Sequence, residues 1–408
     1  MRILFLTPQL PYPPQKGTAL RNWGLISGLA ERHQVSLLSF QAPGQAPRPA
    51  PLLSQVCARV ETVPQPERAL GDRLRDMLAT RQPDMALRLA SESYARRLTG
   101  WLAREHFDVV HVEGIELAPY LDVIEAARPR PFIIFDDHNC EYLLQKRACL
   151  TDLRIPARWP GAAYSLVQWR RLLRYEAETC RRADRVLAVS EADAVALREL
   201  IPALDVIVVP NGIDTRAYRP ETPISKSQIP KLVFTGTMDF RPNVDAVLWF
   251  AREVLPLVQA EVAEARFVVV GQRPHTRLDE LRDDPAITLT GWVEDTRPYI
   301  AEAAVYVAPL RMGGGTRLKL LEAMAMGKPV VATRLGAEGY PVTHGRELLL
   351  ADTPADFAAA VVGLLRAPGK RVELGRAGRA FVEERYDWRV IVPQVEAVYP
   401  PVRVLQTP

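Results

Sequence analysis

Between Arg311 and Glu322 the chain places three cations, three consecutive glycines and one carboxylate in the order that builds an anion site. Gly313, Gly314 and Gly315 let the backbone turn sharply and approach a ligand closely. The apolar run from Leu318 to Met326 predicts a helix, whose first N–H groups are unpaired and point back at the loop. Arg311, Arg317 and Lys319 surround that helix start with positive charge, where the dipole alone would prefer acids. Glu322 follows within reach of a polar ligand lying over the helix end. Phosphate clamps beside a hydroxyl acceptor suit a sugar nucleotide. The competing reading is an ordinary strand–helix turn with incidental charges.

Other candidates also follow apolar runs. Gly17 and Thr18, with Arg21 and Asn22 a turn later, open a helical pattern after the first strand, a usual place for a phosphate or acceptor loop, although many such turns bind nothing. A second run ends in His111-Val-Glu113-Gly114, where His111 is either an acceptor-side group or a buried, satisfied histidine. Asp136-Asp137-His138-Asn139 follows a fully apolar strand, and four such residues are costly to bury without partners, which favours the edge of a site. Asp137, His138 and Glu141 could also be read as metal ligands, without support elsewhere in the chain. Ser190-Glu191 is a site element or simply a helix cap. In the second half Gly236, Arg241, Arg273, Trp292 and Val293 sit just past strand ends, Trp292 having plain core as its alternative.

The elements that must position these groups are nearly continuous apolar runs, as expected of parallel strands covered on both faces. Strands are predicted at Ile3–Thr7, Val35–Phe40, Arg59–Val63, Val109–Val112, Phe132–Phe135, Val186–Val189 and Val206–Val209. A second series is predicted at Lys231–Thr235, Phe267–Val270, Ile287–Leu289, Val305–Ala308, Pro329–Thr333 and Leu348–Leu350. Helical patterns between them imply α/β architecture in two doubly wound domains, with ligands at the carboxyl ends of the strands. The breaker-rich stretch from Pro210 to Pro230 separates domain 1–209 from domain 231–387.

With 408 residues, 48% hydrophobic and 25% charged, the chain has the composition of a two-domain globular protein. A net charge of +4, without aromatic interleaving among the basic residues, gives no case for nucleic acid. The four cysteines lack metal-ligand spacing and read as free thiols of a cytoplasmic protein. The start does not read as a signal peptide, and no run approaches a membrane span. From Lys146 to Arg185 basic residues outnumber acids, with Trp159, Tyr164, Leu166, Val167 and Trp169 among them. That is a solvated helix face or a surface for an anionic membrane, at the inner face of the cell membrane.

The stretch Leu321-Glu322-Ala-Met-Ala-Met-Gly-Lys-Pro-Val-Val331, with the glycine loop ahead of it, resembles the C-terminal signature of retaining GT-B glycosyltransferases of family 4, "glycosyl transferases group 1". That signature has a first Glu eight positions before the second; here the place is taken by Gly314, as in a subgroup with the Gly-Gly-Gly-Thr-Arg-Leu-Lys form. The resemblance implies two Rossmann-like domains facing across a cleft, with a last helix (388–408) crossing back to the first. It assigns Glu322 to ribose hydroxyls and donor-sugar recognition to the backbone of Gly314, Gly315 and Thr316. Gly17 and Thr18 become phosphate contacts, Arg21 a cleft cation, and His138, in an Asp-x-His-Asn-like context, a donor-sugar contact. Trp292 and Val293 would frame the nucleobase. Relatives carry an Arg and a Lys as diphosphate clamp; this chain has Thr237 and Pro242 there, which leaves Arg241, Arg317 and Lys319 as substitutes.

By resemblance, then, the activity is transfer of a sugar from a nucleotide-diphosphate donor to a carbohydrate or lipid-linked hydroxyl acceptor. It needs no metal or other cofactor and serves cell-surface polysaccharide or glycolipid synthesis. A GT-B UDP-sugar 2-epimerase, or a sugar-nucleotide-binding protein without catalysis, are the alternatives.

Overall fold

The computed structural model describes residues 1–14, 17–44, 51–154, 156–220, 229–313 and 316–401. Contacts divide it into a unit of Met1–Pro210 with Ile391–Pro408, and a second unit of Asn211–Val390. Each is built on one all-parallel sheet.

The first sheet comprises β1 (Arg2–Thr7), β2 (Gln34–Gln41), β3 (Arg59–Pro64), β4 (Val109–Glu113), β5 (Phe132–Asp137), β6 (Arg185–Ala188) and β7 (Val206–Val208). Their order is β3-β2-β1-β4-β5-β6-β7. The second sheet comprises β8 (Lys231–Thr235), β9 (Arg266–Val270), β10 (Ile287–Leu289), β11 (Ala303–Ala308), β12 (Val330–Ala332) and β13 (Leu349–Leu350), in the order β10-β9-β8-β11-β12-β13. Both are doubly wound orders. The strand sequence reverses between β1 and β4 in one sheet and between β8 and β11 in the other, and such switch points open a crevice at the carboxyl ends.

Apolar strands alternate between two covered faces. In β8, Leu232 and Phe234 belong to one buried cluster and Val233 to another on the opposite face. The helices that matter for the site are α1 (Gly17–Ala30), α2 (Leu70–Ala79), α3 (Glu141–Leu153), α4 (Trp159–Arg182), α5 (Arg241–Trp249), α6 (Leu318–Ala325) and α7 (Trp388–Glu396).

Two boundaries differ from the sequence reading. The return to the first unit falls at Ile391, inside α7, rather than at Trp388. Gly28 on α1 admits Val392 so closely that a Cβ there would lie 2.5 Å from its Cγ2. Residues 211–220 are no free linker but part of the second unit: Ile213 bridges to Asp387 and donates its N–H to the Tyr386 carbonyl at 2.8 Å. Asp387 also accepts from the Thr215 hydroxyl and is tied to Arg389. The last residues of the expected C-terminal helix, 402–408, and residues 221–228 of the expected linker lie outside the described residues.

Candidate functional site

In the second unit the loops leaving β8 and β11 carry the strongest candidates. After β8, Gly236 is closely covered by two side chains. A Cβ there would lie 2.7 Å from Asn243 Nδ2 and 2.9 Å from Lys319 Nζ. A Cβ on Gly271, after β9, would lie 1.6 Å from the Gly236 carbonyl oxygen. The two loops are therefore in backbone contact, and the Gly236 N–H is taken by the Val270 carbonyl at 3.0 Å.

Around this contact stand two cations. Lys319 Nζ donates to Asn243 Oδ1 at 2.8 Å and lies 4.2 Å from the centroid of Phe234. Asn243 donates in turn to the Thr237 carbonyl at 2.9 Å. Burial and the nearby Arg317 charge push the Lys319 ammonium down to about 7, with Glu322 opposing in part. Arg317, at the entry to α6, is 9% exposed, and among the described residues its Nε and Nη2 have no hydrogen-bond partner. Burial lowers its pKa, against the charges of Glu338 and Tyr340. Among the described residues neither cation is ion-paired with a carboxylate. Two desolvated cations side by side raise the free energy of the empty site, and an anion arriving there would lower it.

Glu322 lies one helical turn beyond Lys319. The Tyr218 hydroxyl donates to its Oε1 at 3.4 Å. Burial pushes Glu322 up to about 7, with Lys319 and Tyr218 working against the shift. Tyr218 is backed by the Arg297 guanidinium, 5.9 Å from its ring centroid, and Arg297 pairs with Asp295 at 2.7 Å. Thr316 accepts a hydrogen bond from Asn211 Nδ2 at 2.9 Å.

Several expectations in this unit change. Arg311 does not add charge to the α6 start, because it pairs with Asp245 at 3.0 Å and lies over the Trp249 ring. Trp292 is 68% exposed, which removes the core alternative, whereas Val293 is half-buried against the second core. Arg241 is exposed at the first turn of α5. Arg273, in the left-handed region at φ 53, is exposed and pairs with Asp239 at 3.1 Å. Gly314 and Gly315 lie outside the described residues.

In the first unit β4 and β5 pair with Glu113 beside Asp136 at their carboxyl ends, so two carboxylates are buried side by side. The charge is balanced locally. Arg21 is 1% exposed and grips Asp136 through Nε at 2.9 Å and Nη2 at 2.8 Å, while Nη1 donates to the Val209 carbonyl at 2.9 Å. The expectation of an open cleft cation at Arg21 is thus overturned: its guanidinium is consumed by a buried pair that fastens β7's exit to β5. Asn22 is also fully buried; with its amide oriented to satisfy both ends, Nδ2 donates to Glu113 Oε2 at 2.9 Å.

His111 is core, the second of its two readings, and no acceptor-side group. It is fully buried, stacked on Phe5 at 4.4 Å, bonded through Nε2 to the Tyr399 hydroxyl at 2.8 Å, and 3.3 Å from Glu113 through Nδ1. That last contact has ion-pair distance without hydrogen-bond alignment. His138 is the residue of this cluster nearest to solvent, with Nε2 at 2.9 Å from Glu113 Oε2 and its side chain 11% exposed. Burial works to lower the His138 pKa, but the Glu113 hydrogen bond and the Asp136 charge outweigh it and hold the pKa above its ordinary value. Burial likewise works to raise Glu113, and the two histidines outweigh it. Gly17 and Thr18 open α1, Gly17 exposed and Thr18 half-buried.

The argument that Asp136 and Asp137 escape burial fails, since both are buried and Asp136 is paired with Arg21. Asp137 lies against Glu176 of α4, and burial and that neighbour push its carboxyl well above the usual range. Glu176 accepts the N–H groups of Glu141 and Tyr142 at 2.8 Å each, holding the α3 start in place behind His138. One ligand atom each from Glu113, Asp136 and His138 fall within 4.8 Å of one another. Both carboxylates are already engaged, Asp136 by the Arg21 guanidinium at 2.8 Å and Glu113 by His138 Nε2 at 2.9 Å.

Sequence reasoning missed Asn243, Tyr218 and Glu176 as supports. The first could have been suspected from a polar residue in the opening turn of an apolar helix. The other two touch partners 104 and 35 positions away, and nothing local signals that.

Two family models match the chain. "Glycosyltransferase Family 4" matches residues 16–217, and "Glycosyl transferases group 1" matches residues 229–367. A phosphatidyl-myo-inositol mannosyltransferase of Propionibacterium freudenreichii is 27% identical over 390 residues, 92% of this chain and 89% of that protein. An uncharacterised 44.6 kDa protein of the cps region of Klebsiella pneumoniae is 24% identical over 172 residues, 40% of this chain. That match spans only 44% of the Klebsiella protein. Among solved structures, the Anabaena protein HepE in complex with UDP superposes with a TM-score of 0.66 at 17% identity, covering 97% of this chain and 99% of that one. At that identity the likeness shows the fold, which is GT-B.

Proposed function

The chain is a GT-B glycosyltransferase of family 4, and from that premise we propose that it moves a sugar, with retention at the anomeric carbon, from a nucleotide-diphosphate donor to a hydroxyl acceptor. The observation that carries the donor assignment is the pair Arg317, buried, and Lys319, half-buried beside it, neither ion-paired with a carboxylate among the described residues. A diphosphate supplies the charge they lack. Its arrival returns Lys319 to the full ammonium form, and both cations then stabilise the negative charge that grows on the departing diphosphate.

Glu322 accepts the ribose hydroxyls, held in place by Tyr218. The exposed face of Trp292, with Val293, takes the base. The backbone from Gly314 to Thr316 takes the donor sugar, and Gly17 and Thr18 offer an amide and a hydroxyl to phosphate. In the first unit His138, held through Nε2 by Glu113, offers its Nδ1 to a sugar hydroxyl. In the transfer the bond from the anomeric carbon to the phosphate oxygen breaks with its electron pair going to the diphosphate. The acceptor oxygen bonds to the same face, and its proton passes to the leaving phosphate.

The relative named for phosphatidyl-myo-inositol and mannose supports a hexose donor and a lipid-linked acceptor as the first pair to try. Thermal-shift and calorimetric titration with UDP, GDP, ADP and their sugars tests the reading. Nucleoside diphosphates should bind well above the monophosphates, and Arg317→Ala should abolish that margin. Equal binding of mono- and diphosphates would overturn it. Conversion of a UDP-sugar to its epimer without acceptor would mark an epimerase, and donor binding without any turnover an inactive binder.

A further inference from the structure

The α3–α4 hairpin of the first unit carries a surface that the donor chemistry does not use. At about 100° per residue along α4, Trp159, Val167, Arg170, Arg174 and Arg181 fall within about 80° of one another. All five are exposed, Trp159 at 58% and Val167 at 38%. The opposite side, with Ser165, Gln168, Leu172 and Glu176, is buried. Glu178 is the one acid on the exposed stripe, and among the described residues Arg170, Arg174 and Arg181 have no ion-pair partner. The stripe runs most of a helix roughly 36 Å long.

Neighbouring chain extends it. A groove of about 540 Å³ runs between Val167, Arg170 and Arg174 on one side and Arg81, Gln82 and Pro83 on the other. Arg171 pins that turn through the carbonyls of Gln82 at 3.1 Å and Met77 at 2.6 Å. Leu78, at the end of α2, is 84% exposed. At the hairpin tip Leu150 and Leu153 are half-exposed, and the Trp159 ring N–H is satisfied by the Leu153 carbonyl at 3.2 Å, so the ring shows solvent only its apolar part. Mixed apolar and unpaired cationic side chains on one straight stripe match neither water nor a neutral apolar partner.

We propose that this stripe docks the protein on the surface of an anionic phospholipid bilayer, the arginines meeting headgroup phosphates and Trp159, Val167 and Leu153 entering the interface. The proposal is independent of the donor site, since none of these residues belongs to it.

Co-sedimentation of the full chain with vesicles of phosphatidylcholine alone, or mixed with phosphatidylglycerol, reads the partition directly. The chain should bind the anionic vesicles, much less the neutral ones, and release as salt rises. Arg170→Gln with Arg174→Gln should lower the partition about 25-fold, since each basic residue near such a surface contributes roughly fivefold. Trp159→Ala should lower it on its own. Unchanged nucleotide-induced thermal shifts in these variants show that the fold and the donor site are intact. Equal partition to both vesicles, none to either, or full binding by the arginine variant would overturn the proposal. So would release by millimolar glycerol phosphate, the mark of a soluble-phosphate site, or a concentration-dependent dimer broken by Trp159→Ala, the mark of a second copy on this face.

Discussion

Lys319→Met separates the stability of the empty protein from its affinity for the donor. In the free protein the Lys319 ammonium is held down at about 7 from an ordinary 10.5, chiefly by burial and then by Arg317. For a group with a depressed folded pKa, the penalty is absent above the unfolded value and complete below the folded one. At pH 7 it is nearly complete, on the order of 4 kcal/mol. Methionine fills similar space without the charge. It forfeits the hydrogen bond to Asn243 and the contact with the Phe234 ring, about 1 kcal/mol each. The variant should therefore be more stable than the parent by about 2 kcal/mol, raising the melting temperature of the second unit by about 4–8 °C. Calorimetry without ligand at pH 7, and again at pH 10, reads the effect, which should shrink at the higher pH. Adding UDP or GDP should stabilise the parent and leave the variant nearly unmoved. A variant that melts below the parent without ligand, or keeps the parent's nucleotide shift, would refute the reasoning.

Glu322→Ala should weaken nucleoside diphosphate binding about 10- to 100-fold by calorimetric titration, as expected for losing charge-assisted hydrogen bonds, and unchanged affinity would remove the ribose assignment. Gly271→Ala should cost about 3 kcal/mol or more in urea denaturation, because the new Cβ meets backbone that no rotamer change can move. Trp292→Ala should alter stability by less than about 0.5 kcal/mol, its ring being exposed, yet weaken nucleotides relative to inorganic pyrophosphate. His138 sits above its ordinary pKa through Glu113, so the pair's stabilisation is complete below about pH 6.5 and fades as pH rises through the folded value. Glu113→Gln should flatten that dependence and bring the His138 titration, followed by NMR, down.

The strands were legible because a parallel sheet buried on both faces writes itself as unbroken apolar runs. Lys231–Thr235 and Ile287–Leu289 appear with the bounds the sequence predicts. The glycine loop with Arg317, Lys319 and Glu322 could be proposed from sequence, since an anion site on a helix start is local in sequence. Pairings across long sequence distances were not. Arg21 reads as an open cation until Asp136, 115 positions away, appears beside it. Asp136 and Asp137 read as exposed because the cost of burying them is computed without Arg21 and Glu176. Arg311 was overvalued for the same reason, its partner Asp245 lying 66 positions upstream. Burial of polar groups depends on partners, and partners are a property of the fold.

The touching backbones of Gly236 and Gly271 bear on how this scaffold could be re-engineered. A side chain at Gly271 would meet the Gly236 backbone itself, whereas one at Gly236 would press on the Asn243 amide and the Lys319 ammonium. Trp292 stands in open solvent past the end of β10, where its side chain can be exchanged without disturbing the packing, while Arg273 past β9 holds a left-handed backbone at φ 53 and pairs with Asp239. On the proposed reading, a library aimed at a different nucleobase would start from Trp292 and leave Arg317 and Lys319 unchanged.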